Sequence, residues 1–142
     1  KMNYSEEILK NEIEKNLGFT VKVNYLRDSV RTMMRTKNID EKWGTYNFIY
    51  SMGLFDYLTP PVAKIVVEKM YRLLEPGGQL LVGNFHVGNP DRVFMEYWLD
   101  WVLYYRDEED FKALLRDTDA VDVNVFFEET KSQVFLNANK PV

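Results

Sequence analysis

Two short apolar runs, Tyr46-Asn47-Phe48-Ile49-Tyr50-Ser51 and Gln79-Leu80-Leu81-Val82-Gly83-Asn84-Phe85, flank a segment with helical periodicity, and that order constrains the chain more than any other feature. Runs of this kind suit strands buried on both faces of a parallel sheet. Thr59-Pro60-Pro61 starts the intervening helix, because proline is tolerated where no backbone donor is needed. Val62, Ile65, Val66, Met70, Leu73 and Leu74 are its expected buried face, and Glu75-Pro76-Gly77-Gly78 stops it and turns the chain.

The flanking segments extend the alternation. Ser5 caps an expected helix with Ile8, Leu9, Ile13 and Leu17 on one face and Gly18 at its end. Phe19 to Tyr25 alternates apolar and polar residues as a strand does. Asp28 or Ser29 caps a short helix carrying Val30, Met33 and Met34, and residues 36–45 read as a polar surface loop. Asn89-Pro90-Asp91 opens a helix expected to reach about Tyr104, and Asp107 caps another with Phe111, Leu114 and Leu115 inward. Residues 121–127 and 133–136 are strands separated by the charged Glu128–Lys131 turn, too short for a parallel crossover, so they form an antiparallel hairpin. The expected fold is α/β: a partial Rossmann-like sheet, mostly parallel, closed by an antiparallel hairpin and covered by helices on both faces.

Composition narrows the function. With 142 residues the chain amounts to one domain, residues 1–142. A net charge of −4 disfavours nucleic acid and anionic membranes as partners. Cysteine is absent and histidine occurs once, which rules out thiolate and multi-histidine metal sites, so no metal is expected. No apolar run approaches the ~20 residues of a membrane helix. No signal-peptide pattern opens the chain, and the cytoplasm is the default compartment. Opening at Lys1-Met2-Asn3-Tyr4, directly before a helix start, it reads as a fragment.

In open parallel sheets ligands bind at the carboxyl ends of the strands. Three such ends can be read, Leu26–Val30, Ser51–Leu58 and Gly83–Gly88, and each holds residues suited to a ligand as well as to a turn. Tyr46–Leu58 reads equally as a strand-to-helix turn whose Phe55 and Tyr57 simply pack. Tyr46–Leu58 and Leu73–Phe85 together resemble class I S-adenosylmethionine-dependent methyltransferases, over about Tyr4 to Asn137. The wording Gly53-Leu54-Phe55-Asp56-Tyr57-Leu58, with Gly83-Asn84-Phe85 and Trp101-Val102-Leu103-Tyr104-Tyr105-Arg106, is similar to bacterial methyltransferases that make the methyl ester of 3-hydroxypalmitate.

The resemblance implies S-adenosylmethionine as cofactor and a small-molecule or fatty-acyl acceptor, methylated on a carboxylate or hydroxyl. It implies that Asp28, Ser29 and Val30 pack on adenine, and that Ser51, Met52 and Gly53 lie beside the sulfonium and methionine portion. Asp56, Tyr57, Asn84, Trp101 and Arg106 then face the acceptor, Arg106 pairing a carboxylate. His86 is the one ordinary base near neutrality and the candidate for proton removal from an alcohol, although a single histidine is more often structural. The stretch Phe94 to Arg106, read as a helix, places Phe94, Trp98, Trp101 and Tyr105 on one face, as core, dimer contact or acyl wall.

Two family elements are missing: the Gly-x-Gly loop that cradles the methionine end, and the acidic residue that binds the ribose. The chain therefore reads as the C-terminal portion of a methyltransferase domain. In the family fold the missing strands lie between residues 19–26 and 46–50. Without them those strands pair directly, leave an open edge, or borrow a strand, and a homo-oligomer is expected. The competing reading is a non-catalytic remnant used for binding or dimerisation. A nicotinamide-type Rossmann enzyme is disfavoured because no Gly-x-Gly-x-x-Gly fingerprint occurs.

Overall fold

The structure, a computed structural model, describes Ile8, Glu12, Lys15, Asn16, Gly18 and residues 22–142. Of the first expected helix, Ile8, Glu12, Lys15 and Asn16 are helical; its Ser5 cap and residues 19–21 lie outside the described residues. From there the order is α1 (Val30–Arg35), α2 (Ile39–Trp43), β1 (Tyr46–Ser51), a 3-10 turn (Phe55–Tyr57), α3 (Pro60–Arg72) and β2 (Leu74–Phe85). It continues with α4 (Arg92–Trp98), α5 (Glu108–Ala113), β3 (Val121–Phe127) and β4 (Gln133–Asn139).

The four strands form one sheet in the order β1-β2-β4-β3. β1 and β2 run parallel, with Ile49 opposite Leu80 and Ser51 opposite Val82. β4 pairs antiparallel with both β2 and β3, so the expected closing hairpin is present and reaches back to the sheet centre. Apolar residues of β2 and β4 fill the core: Leu80, Val82, Val134, Leu136 and Ala138 are fully buried. Ala63, Val66, Val67, Met70 and Tyr71 of α3 cover them. Burying a Val, Leu or Ile side chain contributes about 1.5–3 kcal/mol, so this layer accounts for much of the driving force.

Four expectations need correction. Residues 22–29 form no strand, and among the described residues β1 has a neighbour on one side only. A strand exists only with a partner for its donors and acceptors, and residues 22–29 have none in the sheet. Residues 36–45 are not all loop, because Ile39 anchors α2 by complete burial. The buried face of α3 is rotated: Ala63, Val67 and Tyr71 face inward, whereas Ile65 is exposed. Finally, Glu75-Pro76-Gly77-Gly78 does not break the chain between helix and strand. It is an irregularity inside β2, which advances from Leu74 to Gln79 while β1 advances from Tyr46 to Phe48.

The β3–β4 turn is fixed by one carboxylate. Glu128 accepts hydrogen bonds from the Thr130 hydroxyl (2.6 Å) and from the backbone N–H groups of Thr130, Ser132 (2.7 Å) and Gln133 (3.0 Å). The Thr130 hydroxyl first, then these N–H groups, pull its pKa from 4.5 down to about 2. A carboxyl whose folded value is depressed contributes stability above its unfolded value and loses it as pH falls through the folded one. Glu128→Gln is therefore expected to remove the part of the acid destabilisation that lies between pH 4.5 and about 2. Melting temperature against pH, wild type minus variant, checks this: the difference shrinks across that window, and a difference constant with pH rejects it.

Candidate functional site

Parallel pairing brings the carboxyl ends of β1 and β2 side by side, and three chain segments meet there. They are the loop after β1, residues 51–58; the end of β2 with its continuation, residues 83–89; and an extended stretch, residues 101–106. Gly53 adopts φ +75°, in the left-handed region, and nothing lies within 4 Å of where its side chain would project. At Gly83 a side chain would come within 2.8 Å of the Met52 sulfur and 3.0 Å of the Phe135 ring. Backbone is thus open at the first glycine and tightly packed at the second.

The segments are joined by three buried polar side chains: Asp56 (3% exposed), Asn84 (1%) and Arg106 (4%). Arg106 Nη1 donates to the Phe55 carbonyl (2.8 Å) and to Asn84 Oδ1, and Nη2 donates to the Leu58 carbonyl (2.7 Å). Asn84 Nδ2 donates to the carbonyls of Phe85 (2.8 Å) and Tyr104 (2.9 Å). Asp56 accepts from Phe85 N–H at its carboxylate (2.7 Å) and from Tyr104 N–H at its carbonyl (2.8 Å). Burial pushes the Asp56 carboxyl up from its ordinary value, opposed by the Phe85 N–H and the Arg106 charge. Burial likewise lowers Arg106, opposed by Asp56 and Asp110.

Asp56, Asn84 and Arg106, expected to face an acceptor, are buried here and bonded to neighbouring segments. Their polar groups are directed into the protein, because backbone at the strand ends needs partners that water cannot supply. His86 also has a partner at each ring nitrogen. Nδ1 accepts from Gly88 N–H (3.1 Å), Nε2 lies 3.3 Å from the Glu108 carboxylate, and the ring edge meets Phe127.

The aromatic stretch does not form one long helix. α4 ends at Trp98, Asp100 takes φ +49°, and residues 101–106 cross the strand ends instead. Hydrogen bonds from Tyr104 N–H to Asp56 and from Arg106 N–H to Phe85 hold that path, so tertiary pairing outweighs helical continuation. Phe94, Trp98, Trp101 and Tyr105 therefore share no helical face. Trp101 turns back over the edge, meeting Phe85 edge-on at 6.1 Å and donating from Nε1 to the Tyr57 hydroxyl at 3.0 Å. Tyr57, at 57% exposure, is the outward-facing residue of the 3-10 turn.

Ahead of β1, Ser29 caps α1, its hydroxyl accepting from Thr32 N–H at 3.1 Å. Asp28 accepts from Lys42 Nζ (2.6 Å) and Trp43 Nε1 (3.2 Å), and Lys42 first, then Thr32, holds its carboxyl below the ordinary value. Val30 packs on the core. Trp43, Met33, Ile49, Ser51 and Leu54 line an open groove of about 410 Å³ along the free side of β1. The sequence offered no signal for this groove, since it depends on α2, which reads as polar loop.

Solved structures of methyltransferases share this fold. SibL, an S-adenosylmethionine-dependent methyltransferase in its apo form, aligns with a TM-score of 0.63 at 16% identity, over 96% of this chain and 40% of its own. The magnesium protoporphyrin IX methyltransferase of Synechocystis PCC 6803, with bound S-adenosylhomocysteine, aligns at 0.59 and 10% identity, over 92% of this chain and 56% of its own. OxaC, in complex with S-adenosylhomocysteine and oxaline, aligns at 0.57 and 13% identity, over 92% and 32%. No family model and no curated protein sequence matches the chain. The chain thus spans 40% of SibL, 56% of the Synechocystis enzyme and 32% of OxaC, and what it shares with them is the fold.

Gly53→Val isolates the backbone requirement at the first strand end. Because the space around Gly53 is open, the cost is the left-handed conformation alone, about 1–2 kcal/mol. Urea denaturation measures it; a stability equal to wild type would mean that the loop does not hold this conformation.

Proposed function

We propose that the chain is the C-terminal portion of an S-adenosylmethionine-dependent methyltransferase domain that acts on a carboxylate or hydroxyl of a small-molecule or fatty-acyl acceptor. The observation that carries this reading is the paired carboxyl edge of β1 and β2, with exposed backbone at Met52 and Gly53, within a fold shared with methyltransferases. Ligands of open parallel sheets bind at such an edge.

The residues fit one side of the cofactor. Open space at Gly53 lets a ligand approach the backbone of Ser51, Met52 and Gly53, and the Asp28–Ser29 turn leads into the α1–α2 wall of the groove. The cofactor, when bound, supplies an electrophilic methyl group on a sulfonium. In-line displacement needs alignment and exclusion of water more than acid–base chemistry. Tyr57 and Trp101, exposed together at the edge, are the groups that orient the acceptor. His86, with both nitrogens engaged, is not assigned the base role, and a carboxylate acceptor needs none.

The 142 residues contain no Gly-x-Gly loop, so the methionine cradle is assigned to polypeptide outside this sequence. The side of β1 without a strand neighbour among the described residues, with Tyr46, Phe48 and Tyr50 exposed, is where a further strand would add, from the same polypeptide or from a second copy. Calorimetric titration with S-adenosylhomocysteine tests the reading on this chain and on the longest natural polypeptide containing it. Binding by the longer form and not by the 142 residues is expected. Binding by neither overturns the methyltransferase reading in favour of a non-catalytic remnant, and equal binding by both overturns the assignment of the cradle.

A further inference from the structure

Arg106 lies under the surface, yet its contacts run to the segments that carry two exposed aromatic side chains, Tyr57 and Trp101, at the strand edge. Tyr57 sits inside a turn clamped at both ends, since Arg106 donates to the carbonyls of Phe55 and Leu58 on either side of it. Phe55 and Leu58 are buried, so the clamp leaves Tyr57 directed outward. Trp101 is held from the same source. Its segment is tied down by Tyr104, whose N–H reaches Asp56 and whose carbonyl accepts from Asn84, the residue that also receives Arg106. The indole N–H is a donor only, so in the Trp101–Tyr57 hydrogen bond the phenol oxygen must accept. The phenol therefore keeps its own O–H as a directed donor toward whatever molecule occupies the edge.

We propose that Arg106 is a positioning residue that sets the Tyr57–Trp101 pair, and that this pair presents one aimed O–H donor to an oxygen lone pair of the bound acceptor. The acceptor's identity as a methyl acceptor rests on the function proposed above; the positioning does not. Lysine cannot substitute, because a single ammonium lacks the fork that reaches the Phe55 and Leu58 carbonyls and Asn84 Oδ1 together. Buried polar networks of this type specify one arrangement of the groups they join.

The experiment reads the Trp101 indole N–H in ¹⁵N-labelled chain without any cofactor, its resonance assigned with Trp101→Phe. Tyr57→Phe removes the hydrogen bond and gives the reference position. In Arg106→Lys the indole is expected to move toward that position and to exchange with solvent about tenfold faster, while amides of α3 and β4 keep wild-type shifts and protection. A folded Arg106→Lys whose indole stays at the wild-type position overturns the proposal, as does a uniform loss of protection across α3 and β4. Should that variant not fold, Asn84→Asp keeps an oxygen for Arg106 Nη1 but removes the N–H groups that reach the Phe85 and Tyr104 carbonyls, and an unmoved indole there overturns it equally. A failed cofactor titration leaves this result intact, so the two readings fail separately.

Discussion

One buried guanidinium holds the segments beyond the β1 and β2 carboxyl ends together. A charge at that depth is costly unless hydrogen-bonded and compensated, and Arg106 meets both conditions through Phe55, Leu58, Asn84 and the nearby Asp56. Removing one member of such a set leaves the others buried without partners, at about 3–5 kcal/mol. Hydrophobic packing of β2, β4 and α3 makes the sheet, but it does not dictate where irregular segments run at the strand ends. That path is dictated by side chains bonding to backbone: Asp56 to Phe85, Asn84 to Tyr104, Arg106 to the 3-10 turn.

From that constraint the site's division follows. Polar residues that look reactive in sequence are turned inward to hold backbone, while Met52, Gly53, Tyr57 and Trp101 stay exposed beside them. The open side of β1 carries the complementary message. Phe48 stacks on Tyr50 at 5.9 Å, and Tyr50 is 65% exposed, an apolar strand edge of the kind natural sheets cover. Among the described residues no strand pairs with β1 on that side.

Much of this arrangement was legible in residue order. The β1–α3–β2 unit follows from two apolar runs and Thr59-Pro60-Pro61, and the β3–β4 hairpin from the short connection after Phe127. Asp107 caps α5 with its side chain accepting from Asp110 N–H, as its position implies. What was not legible depended on partners distant in sequence. The aromatic stretch has helical periodicity to Tyr104, yet hydrogen bonds to Asp56 and Phe85 draw residues 101–106 away. The polarity of residues 36–45 hid α2, whose only fully buried residue is Ile39. Arg106 near an aromatic run suggested a carboxylate partner, because sequence cannot distinguish a guanidinium facing a ligand from one facing carbonyls 48 and 51 residues away.

The central claim is that the exposed backbone beyond β1 faces S-adenosylmethionine. A ¹⁵N titration of the longest natural polypeptide containing this chain with S-adenosylhomocysteine addresses it residue by residue. The account predicts the largest shifts at the amides of Ser51, Met52 and Gly53 with a second group at Asp28, Ser29 and Val30, and little change along β3. Shifts confined to other surfaces, or none at saturating ligand, would contradict it.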